Sequence, residues 1–211
     1  GDMEMHTAGS LRDGQIVWAL AKVKDSFELF KGDTIDAYLL FSNFHRYGFS
    51  TDVRFTPIRV VCNNTLTLSL NSRVENFVKI SHRQTFNADV TKEMLGIAKD
   101  KLVKYKEMAA FLGSKKAKDE DIVEYFNRIF PATGKKDTSR NAIRALEILH
   151  TQPGAEYAQG SWWQPFNAVT YLTDHELGRS ADTRLQSAWY GANQGLKTRA
   201  LETAIEMADA A

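Results

Sequence analysis

The stretch "DVTKEMLGIAKDKLVKYKEMAAFLG", residues 89–113, divides the chain into two kinds of sequence. Val90, Met94, Ile97, Ala98, Leu102, Tyr105, Met108 and Leu112 recur at the spacing of a single helical stripe. Asp89 is suited to the N-cap and Gly113 to a C-terminal stop. Downstream the helical period persists. One helix is predicted over 119–130, with acids in its first turn, Ile122, Phe126, Ile129 and Phe130 inside, and Pro131 as its end. Ser139 caps a helix through Leu149, and Ser161 caps another that carries "SWWQPF" and closes at Gly178. The last helices span about 182–190 and 194–208, with Gly191 and Gly195 at their join.

Upstream, residues 5–86 read as β-rich. Asp13-Gly14 in "GSLRDGQIVWALAKVK" is a hairpin signal, because Gly accepts the positive φ of a type I′ turn. The strand after it, Gln15 to Val23, is apolar on both faces and predicts a central strand covered on both sides. "DAYLLFSNF" and "TDVRFTPIRVVC" are further strands, Pro57 marking an edge or bulge in the second. "NFVKISHR" is a shorter fourth. The expected fold is α+β: a mostly antiparallel sheet in the first 85 or so residues, packed against five to six C-terminal helices. No flexible linker marks the change near residue 87, so one domain over 1–211 is expected, β-rich at 5–86 and helical at 89–209.

The chain has 211 residues, 43% hydrophobic and 25% charged, an ordinary globular balance with enough apolar content for a sizeable core. A net charge of +1 argues against a wholly basic nucleic-acid binder and directs attention to local charge. One cysteine excludes an internal disulfide and a cysteine-rich zinc site, which fits a cytoplasmic setting. No apolar run is long enough to span a bilayer, so no membrane partner is expected. Gly1 is not a natural start, and the residues after it read as the interior of a domain. An excised fragment lacking its natural N-terminal portion is expected.

"GSLRDGQIVWALAKV", "AYLLFSN", "TPIRVVCNNTL", Ser81-His82-Arg83 and "SWWQPFNAVTYLTDHE" occur in that order. With them the chain resembles the phage/plasmid-like family catalogued as domain of unknown function 932 (DUF932), over nearly its whole length. The resemblance implies a phage, prophage or plasmid setting, where replication, recombination and defence are the common tasks. It implies no reaction and no catalytic residue. It also implies a helix-like stretch after the cysteine. "NTLTLSLN" alternates like a strand, yet this implication and the N-cap potential of Asn64 favour a helix over 64–71.

Local charge points to nucleic acid. Residues 92–118 hold eight lysines against Glu93, Asp100 and Glu107. Lys92, Lys99 and Lys106 share one face at seven-residue spacing, where they could track phosphates. Arg54, Arg59 and Arg83 add positive charge from the strands, and Phe44, Tyr47 and Phe49 offer rings for base stacking. The competing reading of these lysines is a solvated helix face. The expected partner is therefore single-stranded nucleic acid, bound without catalysis. One alternative is an enzyme using the thiol of Cys62 with His45 or His82 as base; the bland reading makes Cys62 a small buried residue at a strand end. The other is a structural module that self-associates into a homo-oligomer.

No cofactor or metal is expected. The five histidines lack paired spacing, and "DHE" at 174–176 reads as a solvated helix end. "GANQGLK" at 191–197 lacks the spacing of a phosphate loop and reads as a helix joint. The tryptophans of "SWWQPF" read as core anchors.

Overall fold

The computed structural model describes residues 3–45, 51–61, 64–65, 77–80 and 88–211. The fold is α+β. Six antiparallel strands are followed by helices: β1 (Met3–Leu11), β2 (Ile16–Phe30), β3 (Asp33–Phe44), β4 (Thr51–Arg59), β5 (Asn64–Thr65) and β6 (Phe77–Ile80). The strand order is β1-β2-β3-β4-β5, and β6 pairs with the other end of the same β4 edge.

The first hairpin closes as its dipeptide predicts. Asp13 (φ 52°) and Gly14 (φ 83°) occupy the two central positions, and Gln15 N donates to Arg12 O at 3.1 Å. β2 runs seven residues past Val23. An irregularity between Lys22 and Ser26 lets it carry Lys24 and Asp25 without breaking the ladder, and pairing then resumes to Phe30 opposite Asp33. Pro57 pairs with Ala37, in the part of β4 between the segments joined to β6 (Thr51–Arg54) and β5 (Ile58–Arg59). Among the described residues no strand pairs with that part of the edge, where its missing amide is tolerated. Asn64 and Thr65 pair with Arg59 and Ile58, so the helix expected from 64 does not start there. The ladder to β4 outweighs the N-cap preference of Asn64. Residues 66–71 lie outside the described set.

The helices are α1 (Ala88–Ser114), α2 (Asp119–Ile129), α3 (Arg140–Ile148), α4 (Trp163–Tyr171), α5 (Ala181–Tyr190) and α6 (Ala192–Ala210). α4 passes directly into a π-helical turn, Leu172–Glu176. α1 packs on one face of the sheet, where Val23, Ala37, Leu39 and Val53 meet Leu95 and Leu102. α5 covers the other face, where Leu20, Tyr38 and Leu40 meet Trp189, Leu185 and Tyr190. Odd and even residues of β3 thus feed separate cores, as the pleat requires.

The largest core lies among the helices. Tyr105, Leu112, Tyr125, Phe126, Trp162 and Trp163 are its bulky members, and Ile35, Phe27, Leu29 and Phe30 extend it to the strands. Trp162 and Trp163 are 0% and 1% exposed, the core anchors that their place in "SWWQPF" predicts. Each such ring buries about 150–250 Å², a gross hydrophobic gain of roughly 4–6 kcal/mol per tryptophan. Gly113 does not stop α1, which continues to Ser114. It makes room for the Phe30 ring, which a Cβ at 113 would strike. Ser139 accepts from Ala142 N at 3.1 Å and caps α3 as expected.

Candidate nucleic-acid interface

Lys92, Lys99 and Lys106 all stand exposed on α1. Seven residues advance a helix by about 10.5 Å, so the three form a stripe about 21 Å long. Among the described residues none of the three enters an ion pair. Lys106 Nζ lies 6.0 Å from the centre of the Phe27 ring. Half-buried Lys101 has its ammonium pushed below the usual lysine value, by burial first and then by the charge of Lys104.

The outer surface of α1 is divided rather than uniformly basic. Glu93, Asp100 and Glu107 are exposed at the same seven-residue spacing, each one residue after a lysine. One residue turns the helix by about 100°, so the acids form a second stripe alongside the first. Gly96, Val103 and Ala110 run between the stripes, with Val103 57% exposed. Within α1 itself, five lysines in 92–107 face three acids, and Lys115, Lys116 and Lys118 lie beyond the helix end.

The arginines of β4 do not join this stripe. Arg54 lies on the α5 face of the sheet, where its Nη1 donates to Trp189 O at 2.9 Å. Its guanidinium carbon sits 4.9 Å from the Tyr190 ring centre. Phe44 is half-buried on the same face, edge-on to Tyr190 at 5.3 Å. The hydroxyls of Tyr190 and Ser42 bond to each other there. The sheet therefore separates Arg54 and Phe44 from the lysine stripe.

Arg59 is withdrawn from the surface altogether, contrary to its expected phosphate contact. Its side chain is 0% exposed and forks onto Asp33, Nε to Oδ1 at 2.7 Å and Nη2 to Oδ2 at 2.8 Å. Nη2 also donates to Gly154 O at 2.8 Å. Gly154, at φ +83°, permits that approach; a Cβ would lie 2.7 Å from Nη2. Trp163 Nε1 donates to Asp33 Oδ2 at 3.3 Å, and its ring lies 5.6 Å from the guanidinium. This node joins β3, β4 and α4. Its physical basis is the pairing of a buried charge through Nε and Nη2, without which burial would be prohibitive.

Tyr47, Phe49, Arg83, Cys62 and His82 lie outside the described residues. His45 is exposed, and its backbone N donates to Gln15 O at 2.8 Å. No cluster of three metal-ligating side chains occurs among the described residues. Among them, no helix is long and apolar enough to cross a membrane.

The ion pairs made by Asp174 and Glu176 escaped the sequence reading. "DHE" is no solvated helix end: Asp174 bonds Lys197 Nζ at 2.8 Å, with the two side chains 6% and 0% exposed. Glu176 receives a two-pronged bond from Arg144, Nε at 2.8 Å and Nη2 at 2.9 Å. The bond to Arg144 is the first cause that holds the Glu176 carboxyl below its ordinary value. The π-helical turn presents these carboxylates to α6 and α3, a geometry that a uniform helical period does not indicate.

No curated protein and no solved structure matches the chain. A family model does match, that of the domain of unknown function DUF932, over residues 1–189 of 211. The chain belongs to this family.

Proposed function

We propose that this protein is a non-enzymatic module of phage or plasmid type that binds single-stranded nucleic acid in the cytoplasm, during replication or recombination. The lysine stripe of α1 tracks the phosphate backbone. The supporting observation is the row of three exposed lysines without ion-pair partners among the described residues. Arg59, Arg54 and Phe44 are engaged inside the fold and are left out of the contact set.

Three phosphate contacts give a salt slope of about −2 on a double-logarithmic plot for a single strand. A rise from about 50 to 200 mM salt then weakens binding on the order of twentyfold. Fluorescence polarisation with a labelled oligothymidylate measures this. Lys99→Glu with Lys106→Glu is expected to abolish binding at the lower salt. No binding by the unaltered protein, or equal binding by the double variant, refutes the proposal.

A second reading rests on the ridge of Gly96, Val103 and Ala110 between opposite charges. If two copies pair with their α1 helices parallel, each lysine stripe meets the partner's acidic stripe. Light scattering over a concentration series tests this. Val103→Lys is expected to yield monomer, and a monomer at every concentration of the unaltered chain ends this reading.

A further inference from the structure

We propose that the cleft between α3 and the π-helical turn binds a small anion carried on an aliphatic body. The cavity has a volume of about 490 Å³, within the range of about 300–1,000 Å³ usual for small-molecule sites. Part of its lining is aliphatic: Leu172 is buried, Leu177 half-buried, and Ile143 is 48% exposed. Lys136 and Arg140 stand exposed at the rim, beside the half-buried polar side chains of Thr138 and Asn141.

The charges of the cleft are unevenly engaged. Arg144 is held by Glu176 and by Glu147, whose carboxylate lies 3.0 Å from Nη1. The two bonds to Glu176 tie the π-helical turn to α3 and preform one wall. Lys136 and Arg140 have no ion-pair partner among the described residues. Three cations therefore face two carboxylates, and the two cations without an ion-pair partner among the described residues are both exposed. Among the described residues no aromatic ring lines the cavity, and they offer no stacking surface for a nucleobase. A branched aliphatic lining beside exposed cations suits an alkyl carboxylate or an alkyl phosphate monoester. The π-helical turn, which supplies Leu172 and Glu176, is a local departure from α-geometry of a kind often found at functional sites.

Isothermal titration of the intact chain with hexyl phosphate, hexanoate, inorganic phosphate and 1-hexanol tests the proposal. At least one alkyl anion is expected to bind tenfold or more tightly than inorganic phosphate and hexanol. Tighter hexyl phosphate assigns a phosphate head group; tighter hexanoate assigns a carboxylate. Lys136→Ala with Arg140→Ala, both at exposed positions, is expected to weaken that binding at least tenfold. Ile143→Asp is expected to remove the advantage of the alkyl chain. No heat from either alkyl anion, equal binding of hexanol, or affinity unchanged in the rim variant overturns the assignment. The cleft and the α1 stripe fail separately: the rim variant should leave oligonucleotide affinity intact, and the α1 variant should leave alkyl-anion affinity intact.

Discussion

Replacing Asp33 by Ala strips the carboxylate from a guanidinium that has no access to water. Both side chains are 0% exposed, and the two bonds of the fork are 2.7 and 2.8 Å long. The substitution also removes the acceptor of Trp163 Nε1. Breaking a buried pair from one side costs about 3–5 kcal/mol, because the remaining charge stays desolvated. A domain has only about 5–15 kcal/mol of stability to lose. For a chain of this size the melting temperature should fall by about 6–20 °C. Urea unfolding followed by circular dichroism gives the free energy directly.

A second substitution separates charge from packing. Arg59→Met in the Asp33→Ala background leaves no stranded ion, and apolar replacement of a buried pair is often neutral or stabilising. The double variant should therefore be more stable than Asp33→Ala alone, with a coupling of about 2–3 kcal/mol. A single Asp33→Ala variant within about 1 kcal/mol of the unaltered protein would refute the argument, since that is the range of a surface pair. So would a double variant no more stable than Asp33→Ala.

Further outcomes follow from other contacts. Gly113→Ala should destabilise by about 1–3 kcal/mol, because the new methyl group meets the Phe30 ring; a rise in urea midpoint would contradict this. Tyr125→Phe removes the bond from the buried hydroxyl to Ala200 O at 2.9 Å and should cost about 0.5–1.5 kcal/mol in the same titration. The bond to Arg144 lowers the Glu176 carboxyl in the folded state, so its stabilisation is present above the unfolded carboxylate value and lost as pH falls through the lower folded value. Glu176→Gln should therefore flatten the acid limb of a stability–pH profile, and an unchanged limb would show that the bond does not form in solution.

Local patterns in the sequence were enough for the architecture. The period of two before residue 87 and of 3.6 after it corresponds to the sheet and the helices. Asp13-Gly14 and Ser139 act through near neighbours, and both behave as their chemistry requires. The departures occur where a distant partner decides. β2 continues past Asp25 because β3 supplies a ladder on the far side of the irregularity. Asn64 joins β4 instead of capping a helix for the same reason. Gly113 is glycine for the sake of a ring 83 positions earlier in the chain, not for a helix end.

The same distinction governs the site residues. Exposed lysines on a long helix are legible, because amphipathicity assigns them to the face opposite the apolar stripe. An arginine in a strand is not, because its role depends on which carboxylate the fold brings to it. Arg59 reads like Arg54, yet Asp33, 26 residues away, closes on the first. The second reaches a carbonyl 135 residues away. A buried lysine poses the same difficulty: Lys197 is one member of a glycine-rich run until Asp174, 23 residues earlier, turns it into an internal ion. Charge counted along the chain therefore overstates the cationic surface available to a ligand. Among the described residues, the three lysines of the α1 stripe and Lys136 and Arg140 of the α3 cleft are exposed cations without an ion-pair partner, and the two groups are separable by mutation.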